Sequence, residues 1–475
     1  MKLSKSILFG LPLMALMGLS SCSRDKDYSC LIPNPEPENP GVECIPDAKP
    51  SLPVEADGFY MVNEGWFGHD GGSVNFFGKD GHIAYRAYST ANAGEEFGKT
   101  TAGGVMYGDN LYFTSKQGNR LVVADAKTLK KKAVLEEVGG DARFFQGINA
   151  NKGYLSVSSG ISILNLEDFT YTGKQIAGVS GEVGDMCQVN NTVFAAGKGK
   201  IYAIHAEKDE LIETIEVKGA NSVLLAKDGN VWAGAGETLY KINPATSEVE
   251  KRDIKGLGIR TNPWAWTPRA IDASATSNTL YWASGKSVIK YDIESGSSES
   301  IFTLGSEDGK NLGFYGAGLR VDPLTEDIAV IGQQGFSTFI WVYLIDNAGK
   351  EIKKYQVLNQ DGKEHYWFPS MPLFLDMNKP EILVNQILVP VKETVEIDLS
   401  EKVVDADTFD AAISKVVEVK EGETLISASI ENNKLIVEGL GEEGKTEITL
   451  TVNSNGCIVS KTIEVVIAEE LTCKL

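Results

Sequence analysis

From about residue 57 onward, short apolar runs alternate with polar turns in a pattern that recurs along the chain. Asn110-Leu111-Tyr112-Phe113, Gly153-Tyr154-Leu155-Ser156 and Thr192-Val193-Phe194-Ala195 occupy one equivalent position. Asn230-Val231-Trp232-Ala233, Thr279-Leu280-Tyr281-Trp282 and Asp327-Ile328-Ala329-Val330 continue the series. Tight polar turns such as Gly108-Asp109-Asn110 and Lys227-Asp228-Gly229 precede most of these runs, and a second run follows most of them, as in Leu121-Val122-Val123-Ala124-Asp125 and Ile201-Tyr202-Ala203-Ile204. Runs of this length, rich in β-branched and aromatic residues and bounded by Gly, Asn and Asp, predict strands. Their recurrence distance, on the order of 40 to 50 residues, is the period of a four-stranded propeller blade. About seven such units fit between Phe59 and Met377. Met371-Pro372-Leu373-Phe374-Leu375 predicts the strand that closes the ring on the first blade, so that only short, protected edges remain. An open array of β-sandwiches is the competing architecture, and the repeated turn pattern argues against it.

After Lys379-Pro380 the pattern changes. Strands such as Glu447-Ile448-Thr449-Leu450-Thr451-Val452 alternate cleanly, aromatic residues nearly vanish, and Glu becomes abundant. A second domain of roughly 90 residues is expected there, the size of an immunoglobulin-like module. The predicted fold class is therefore all-β: a seven-bladed β-propeller followed by a small C-terminal immunoglobulin-like β-sandwich, with a spacing or packing role for the latter.

The N-terminus is patterned differently. A short basic head, Met1-Lys2-Leu3-Ser4-Lys5, leads into an apolar run from Ile7 to Leu19, too short to be read as a membrane-spanning helix. Leu19-Ser20-Ser21-Cys22 follows, and it resembles the lipobox of bacterial lipoproteins. That resemblance implies cleavage before Cys22 and acylation of its thiol, which makes Cys22 a lipid anchor. Prolines at 33, 35, 37, 40, 46, 50 and 53 then predict an extended tether that spaces the folded part from the membrane. The expected organisation is residues 1–21 as signal peptide, 22–56 as anchor and tether, 57–377 as propeller and 378–475 as sandwich.

Charge narrows the partners. Lys and Arg number 45 against 65 Asp and Glu, a net charge of −20, which excludes nucleic acid and electrostatic docking on anionic lipid. Cys30 and Cys44 bracket the proline-rich segment, while Cys457 and Cys473 lie near the C-terminus; either pair is able to close a small loop. Cys187 falls in an apolar run and is expected in the core.

Propeller topology sorts the loops. The A–B and C–D turns lie on one face and the B–C and D–A loops on the other. The first B–C loop carries Trp66, Phe67, His69 and Asp70, and a later one carries Gln334 and Phe336. The expected D–A loops carry Phe97, then Phe144, Phe145 and Gln146, then Trp264, Trp266 and Arg269, then Phe314 and Tyr315, and finally Tyr366, Trp367 and Phe368. Converging on one rim, these rings and amides make a binding surface for a large amphipathic ligand or a protein partner. The competing role of each ring is to plug the gaps between blades; Trp232 and Trp282, within strands, are assigned to the core. Only four histidines are present, and no Ser-His-Asp set, phosphate loop or HExxH is visible. Neither catalysis nor a catalytic cofactor nor a metal is expected.

Gly58-Phe59-Tyr60-Met61-Val62-Asn63-Glu64-Gly65-Trp66-Phe67-Gly68 resembles the opening Asn-Glu-Gly motif of the YncE-like propeller surface lipoproteins of Bacteroidetes. The continuation through His69 and Asp70 is most similar to the BtuG-type, cobalamin-binding members. The resemblance covers residues 1 to about 377. It implies an outer-membrane lipoprotein facing the cell exterior, which binds cobalamin and delivers it to a TonB-dependent transporter. A protein-interaction or glycan-binding scaffold at the cell surface is the alternative.

Overall fold

The computed structural model describes residues 42–220, 222–260, 270–360, 362–469, 471, 473 and 474. Val42–Glu43 pairs in parallel with Cys473–Lys474 and belongs to a unit of its own; Ile45–Glu470 forms the other unit. Cys22, and with it the expected signal peptide and anchor, lies outside the described residues.

Among the described residues of 45–470, seven four-stranded antiparallel sheets succeed one another along the chain, each meandering from an inner to an outer strand. The inner strands of the second to seventh sheets are Lys99–Tyr107, Ala142–Gly147, Val183–Val189, Ser222–Leu225, Ile271–Ala273 and Leu319–Val321. The first sheet is built from both ends of the segment. Pro369–Leu373 pairs antiparallel with Gly58–Asn63, which continues through Ser73–Gly78 to Ile83–Ala84. Each inner strand touches the next, and Leu319–Val321 touches Pro369–Leu373, so the sheets close into the ring of a β-propeller.

The apolar runs are continuous because these strands are buried on both faces. Neighbouring side chains point to opposite sides. Phe194 packs toward the fifth sheet, with Val223, Val231 and Ile242, while Val193 and Ala195 pack toward the third, with Tyr154 and Ile161. Outermost strands such as Glu210–Glu216 are mostly exposed and polar. The recurring turn residues also have a job. Asp125 Oδ1 accepts from Thr128 N at 3.0 Å, Asn243 Oδ1 from Ala245 N at 2.9 Å, and Asp292 Oδ1 from Ser295 N at 2.7 Å. His205 occupies the same turn in the fourth sheet and accepts from Lys208 N through Nδ1 at 3.3 Å. That histidine is a turn residue.

The C-terminal segment folds into two sheets around one core. One runs Gln386–Pro390, Cys457–Ala468, Gly444–Ser454 and Ser414–Val419, with the first pair parallel; the other is Thr394–Asp398, Lys434–Gly439 and Ile426–Glu431. Leu435, Val437, Ile448, Leu450, Val452, Ile463 and Val465 are fully buried between them. The turn after Gly444–Ser454 docks on the A–B turn of the second propeller sheet. Gly108 N donates to Asn455 O at 2.8 Å, and Asn453 Nδ2 to the Tyr107 hydroxyl at 3.2 Å. Gly456, at φ +87°, is required there: a Cβ would lie 2.4 Å from Gly108 N. The sandwich thus sits on the A–B face of the ring.

The second half of the proline-rich segment lies along the C-terminal domain. Ala48 N donates to Leu383 O at 2.8 Å, Ser51 N to Glu381 Oε1 at 2.9 Å, and Val54 N to Asn378 Oδ1 at 2.8 Å. Proline removes backbone donors, and the residues between the prolines supply the bonds instead. The Cys457–Cys473 loop does not form, because Cys457 is a free thiol; burial and the nearby Asp376 push it up to about 11. Cys44 is disulfide-bonded. Cys187 is buried in Val183–Val189, in the core between the fourth and fifth sheets.

Candidate functional site

The seam between the seventh and first sheets carries an aromatic surface on the B–C and D–A face. Three segments build it. The loop after Gly58–Asn63 supplies Trp66, Phe67 and His69, the loop after Ile328–Gln333 supplies Phe336, and the chain leading into Pro369–Leu373 supplies Tyr366 and Phe368. Local hydrogen bonds set the first loop. His69 N and Asp70 N both donate to Trp66 O at 2.9 Å, and Gly65 N donates to Trp367 O at 3.1 Å. The turn folds the His69 ring flat on the Trp66 indole, with centroids 3.7 Å apart and planes 20° from parallel. Tyr366 abuts the same indole at 4.7 Å. Tyr366 continues to Phe368 at 5.9 Å, Phe368 to Phe336 at 6.0 Å, and Tyr315 joins Phe368 at 5.4 Å.

Burial divides these rings. Trp66, Phe67 and Phe336 are 42%, 59% and 68% exposed, whereas Tyr315 and Phe368 are buried supports beneath them. Gly316, at φ +54°, holds Tyr315 in place: a Cβ there would lie 2.1 Å from Ser370 O. Its carbonyl accepts from Arg260 Nη1 at 3.0 Å. Exposed aromatic rings on a fixed base provide apolar contact area at little cost in conformational entropy.

Glu64 lies under this surface. It is 6% exposed, Oε2 accepts from the Tyr315 hydroxyl at 3.0 Å, and Oε1 has no hydrogen-bond partner. Burial pushes its carboxyl up to about 8, against the opposing pull of the Tyr315 hydrogen bond and the Lys116 charge. Burial and the Glu64 carboxyl in turn push the Tyr315 phenol above its ordinary range. Burial thus favours the protonated form of Glu64. In the sequence Glu64 belongs to the Asn-Glu-Gly motif and was not expected at the site; the signal available was an acidic residue two positions after the apolar run Phe59-Tyr60-Met61-Val62.

Several other expected contacts are elsewhere. Phe97 is in the expected loop but buried, between Tyr88 and Phe113 at 4.5 Å each. Arg143 to Gly147 is not a loop but part of the inner strand Ala142–Gly147. Phe145 is wholly buried and stacked on Tyr112 at 3.8 Å, and Phe144 and Gln146 line the channel on the sandwich side. The strand forms there because both its faces are covered and Arg143 has an ion-pair partner in Glu182, Nη2 to Oε1 3.1 Å. Phe314 is buried in the core shared by the sixth and seventh sheets. Trp367 is 4% exposed, with Tyr85 stacked on it at 5.5 Å and the Arg86 guanidinium 5.1 Å from its ring centre. His365 is tied down, Nδ1 to Arg86 Nη2 at 3.2 Å and Nε2 to Gln360 O at 3.1 Å. Gln334 and Asp70 flank the surface, half-buried. Trp264, Trp266 and Arg269 lie outside the described residues.

A protein family described as a domain of unknown function, DUF5074, matches residues 57–375. No curated protein matches the chain. Among solved structures, a quinonprotein alcohol dehydrogenase-like protein from Bacteroides thetaiotaomicron is similar at 18% identity over 67% of this chain and 78% of that one, with a TM-score of 0.53. The β-propeller domain of Cps50 (Swd1) from Myceliophteria thermophila is similar at 12% identity over 64% and 99%, with a TM-score of 0.45. The first of these likenesses bears on the fold alone.

Proposed function

The chain belongs to the DUF5074 family, and on that premise we propose that it is a seven-bladed propeller with an immunoglobulin-like C-terminal domain that acts as a lipid-anchored, cell-surface binding protein. Its ligand in this reading is cobalamin, held without covalent bonds on the aromatic surface of the first and seventh sheets and passed to a TonB-dependent transporter in the outer membrane. The observation that carries the binding role is the continuous run from His69 through Trp66, Tyr366 and Phe368 to Phe336, with three rings exposed on a buried base. Monomeric proteins rarely leave such rings together on the surface without a partner for them. A corrin is a broad plate edged with amides, and it suits this surface, where indole and phenyl faces are flanked by Gln334, Asp70 and His69. The choice of cobalamin comes from the resemblance of the Asn63-Glu64-Gly65 opening and its continuation. The site lies on the ring face opposite the one on which the C-terminal domain docks. It is a binding protein in this reading, with no catalytic step.

Trp66→Ala is expected to weaken cyanocobalamin binding by about 10- to 100-fold, as loss of a central aromatic anchor does. The thermal unfolding midpoint should stay near that of the parent, because the ring is 42% exposed. Calorimetric titration of both proteins measures this. A response to soluble polysaccharide, with none to corrinoids, would instead identify a glycan-binding surface.

A further inference from the structure

Two polar side chains beneath the aromatic surface each leave one oxygen unpaired. Glu64, which follows Gly58–Asn63, is 6% exposed, and its backbone N–H donates to Phe368 O at 2.9 Å. The Tyr315 hydroxyl occupies its Oε2, and its Oε1 has no partner. Gln333 ends Ile328–Gln333 and is 2% exposed. Alternation along that strand places it on the side of Ala329 and Ile331, which pack with Tyr315 and Phe368 in the core of the seam. Its Nε2 donates to Ser337 O at 3.0 Å, and its Oε1 has no partner.

These observations come from different parts of the chain. Glu64 belongs to the first sheet and Gln333 to the seventh, and the segment around Tyr315 links them. The Tyr315 hydroxyl holds Glu64, while Gln333 exchanges backbone bonds of 2.8 and 2.9 Å with Gly313, two residues before Tyr315. Most buried polar atoms in a folded protein have a partner. Two without one, under rings that are themselves uncovered, match a polar group carried by the molecule that covers those rings. Phe336 stands edge-on to Tyr315 at 6.5 Å and to Phe368 at 6.0 Å, and it is 68% exposed. It follows Gly335, whose φ is +50° and around which a Cβ would meet open space.

We propose that Glu64 and Gln333 recognise a primary carboxamide on the ligand, an inference that rests on the aromatic surface being the binding site. Burial favours the protonated Glu64 carboxyl, so with Oε2 accepting from Tyr315 the proton lies on Oε1, which donates. Gln333 Oε1 accepts only. A carboxamide answers both from adjacent atoms: its carbonyl oxygen accepts from Glu64, and its NH₂ donates to Gln333. A carboxylate has no N–H for Gln333, and an ammonium has no acceptor for Glu64. Sites whose buried polar groups are left unpaired by an analogue reject it strongly. A turn of the exposed Phe336 ring opens the way to the pair while the strands stay in place. Indole and phenyl faces hold a flat ligand in many rotations, and a carboxamide anchored here selects one.

Ligand-observed NMR titration of the full-length chain with benzamide, and with sodium benzoate in parallel, tests the pair without cyanocobalamin. Benzamide is expected to bind in the millimolar range, and benzoate at least about ten-fold more weakly. That comparison needs no variant. Gln333→Met and Glu64→Met each remove one partner at similar volume; each is expected to lose about ten-fold in benzamide affinity, with an unfolding midpoint near the parent's. Glu64→Gln, whose Nε2 donates in place of Oε1, should recover most of the loss. Absence of benzamide binding, equal affinity for the two probes, or parental benzamide affinity in both Met variants overturns the proposal. Cyanocobalamin titrated into the same proteins separates the two readings. Discrimination between the probes without cyanocobalamin binding sinks the corrinoid and supports the carboxamide pair. Cyanocobalamin binding that neither Met variant weakens sinks the pair and supports the corrinoid.

Discussion

Replacing Trp367 by alanine is expected to destabilise the protein by about 3–5 kcal/mol, the cost of emptying a buried indole site. The ring is 4% exposed at the seam where the first and seventh sheets meet, in one core with Phe59, Phe77, Tyr355 and Phe368. Tyr85 stacks on one side, Arg86 lies over the ring, and Nε1 donates to Leu358 O at 3.3 Å. That seam is also where the two ends of the propeller segment are joined by strand pairing, so a cavity there weakens ring closure itself. Denaturant melts of parent and Trp367→Ala read the difference, and Trp367→Phe should recover part of it. Parental stability combined with lost ligand affinity would show that the indole acts at the binding surface, the role the sequence alone had suggested.

Stability is expected to fall as pH rises from about 4.5 to about 8, by roughly 4 kcal/mol, through Glu64 alone. In the folded protein its carboxyl is pushed up to about 8 from 4.5, chiefly by burial. Between those values the unfolded chain has released the proton while the folded chain keeps it. The folded state therefore binds more protons, and raising the pH favours unfolding. Below about 4.5 the penalty is absent; above about 8 it is complete. Glu64→Gln has nearly the same shape, still accepts from Tyr315, and cannot ionise. Thermal melts at pH 5 and pH 8.5 should show the parent losing stability relative to this variant. Parallel pH profiles for the two proteins would mean that Glu64 does not carry a buried proton.

The ring was legible because its physics is local and repeated. Strands buried on both faces read as apolar runs such as Val193-Phe194-Ala195-Ala196, and turn acceptors recur at Asp125, Asn165, Asn243 and Asp292. Ala142–Gly147 was missed because Arg143 and Gln146 look like loop residues. Their environment is an inner strand, where Glu182 pairs with the guanidinium. The site was legible as a set of loops, and exposure was not. Trp66 and Trp367 occupy loops of the same face with similar neighbours in sequence, yet Trp367 is covered by Tyr85 and Arg86 while Trp66 stays exposed, and those covering residues come from a distant segment.

Corrinoid binding on the aromatic surface is the proposal from which the other predictions at the site follow. Calorimetric titration of the full-length chain with cyanocobalamin tests it most directly. Saturable binding close to one ligand per chain is expected, strongly weakened in Trp66→Ala. No heat, and no co-elution of the coloured ligand with the protein, would contradict it.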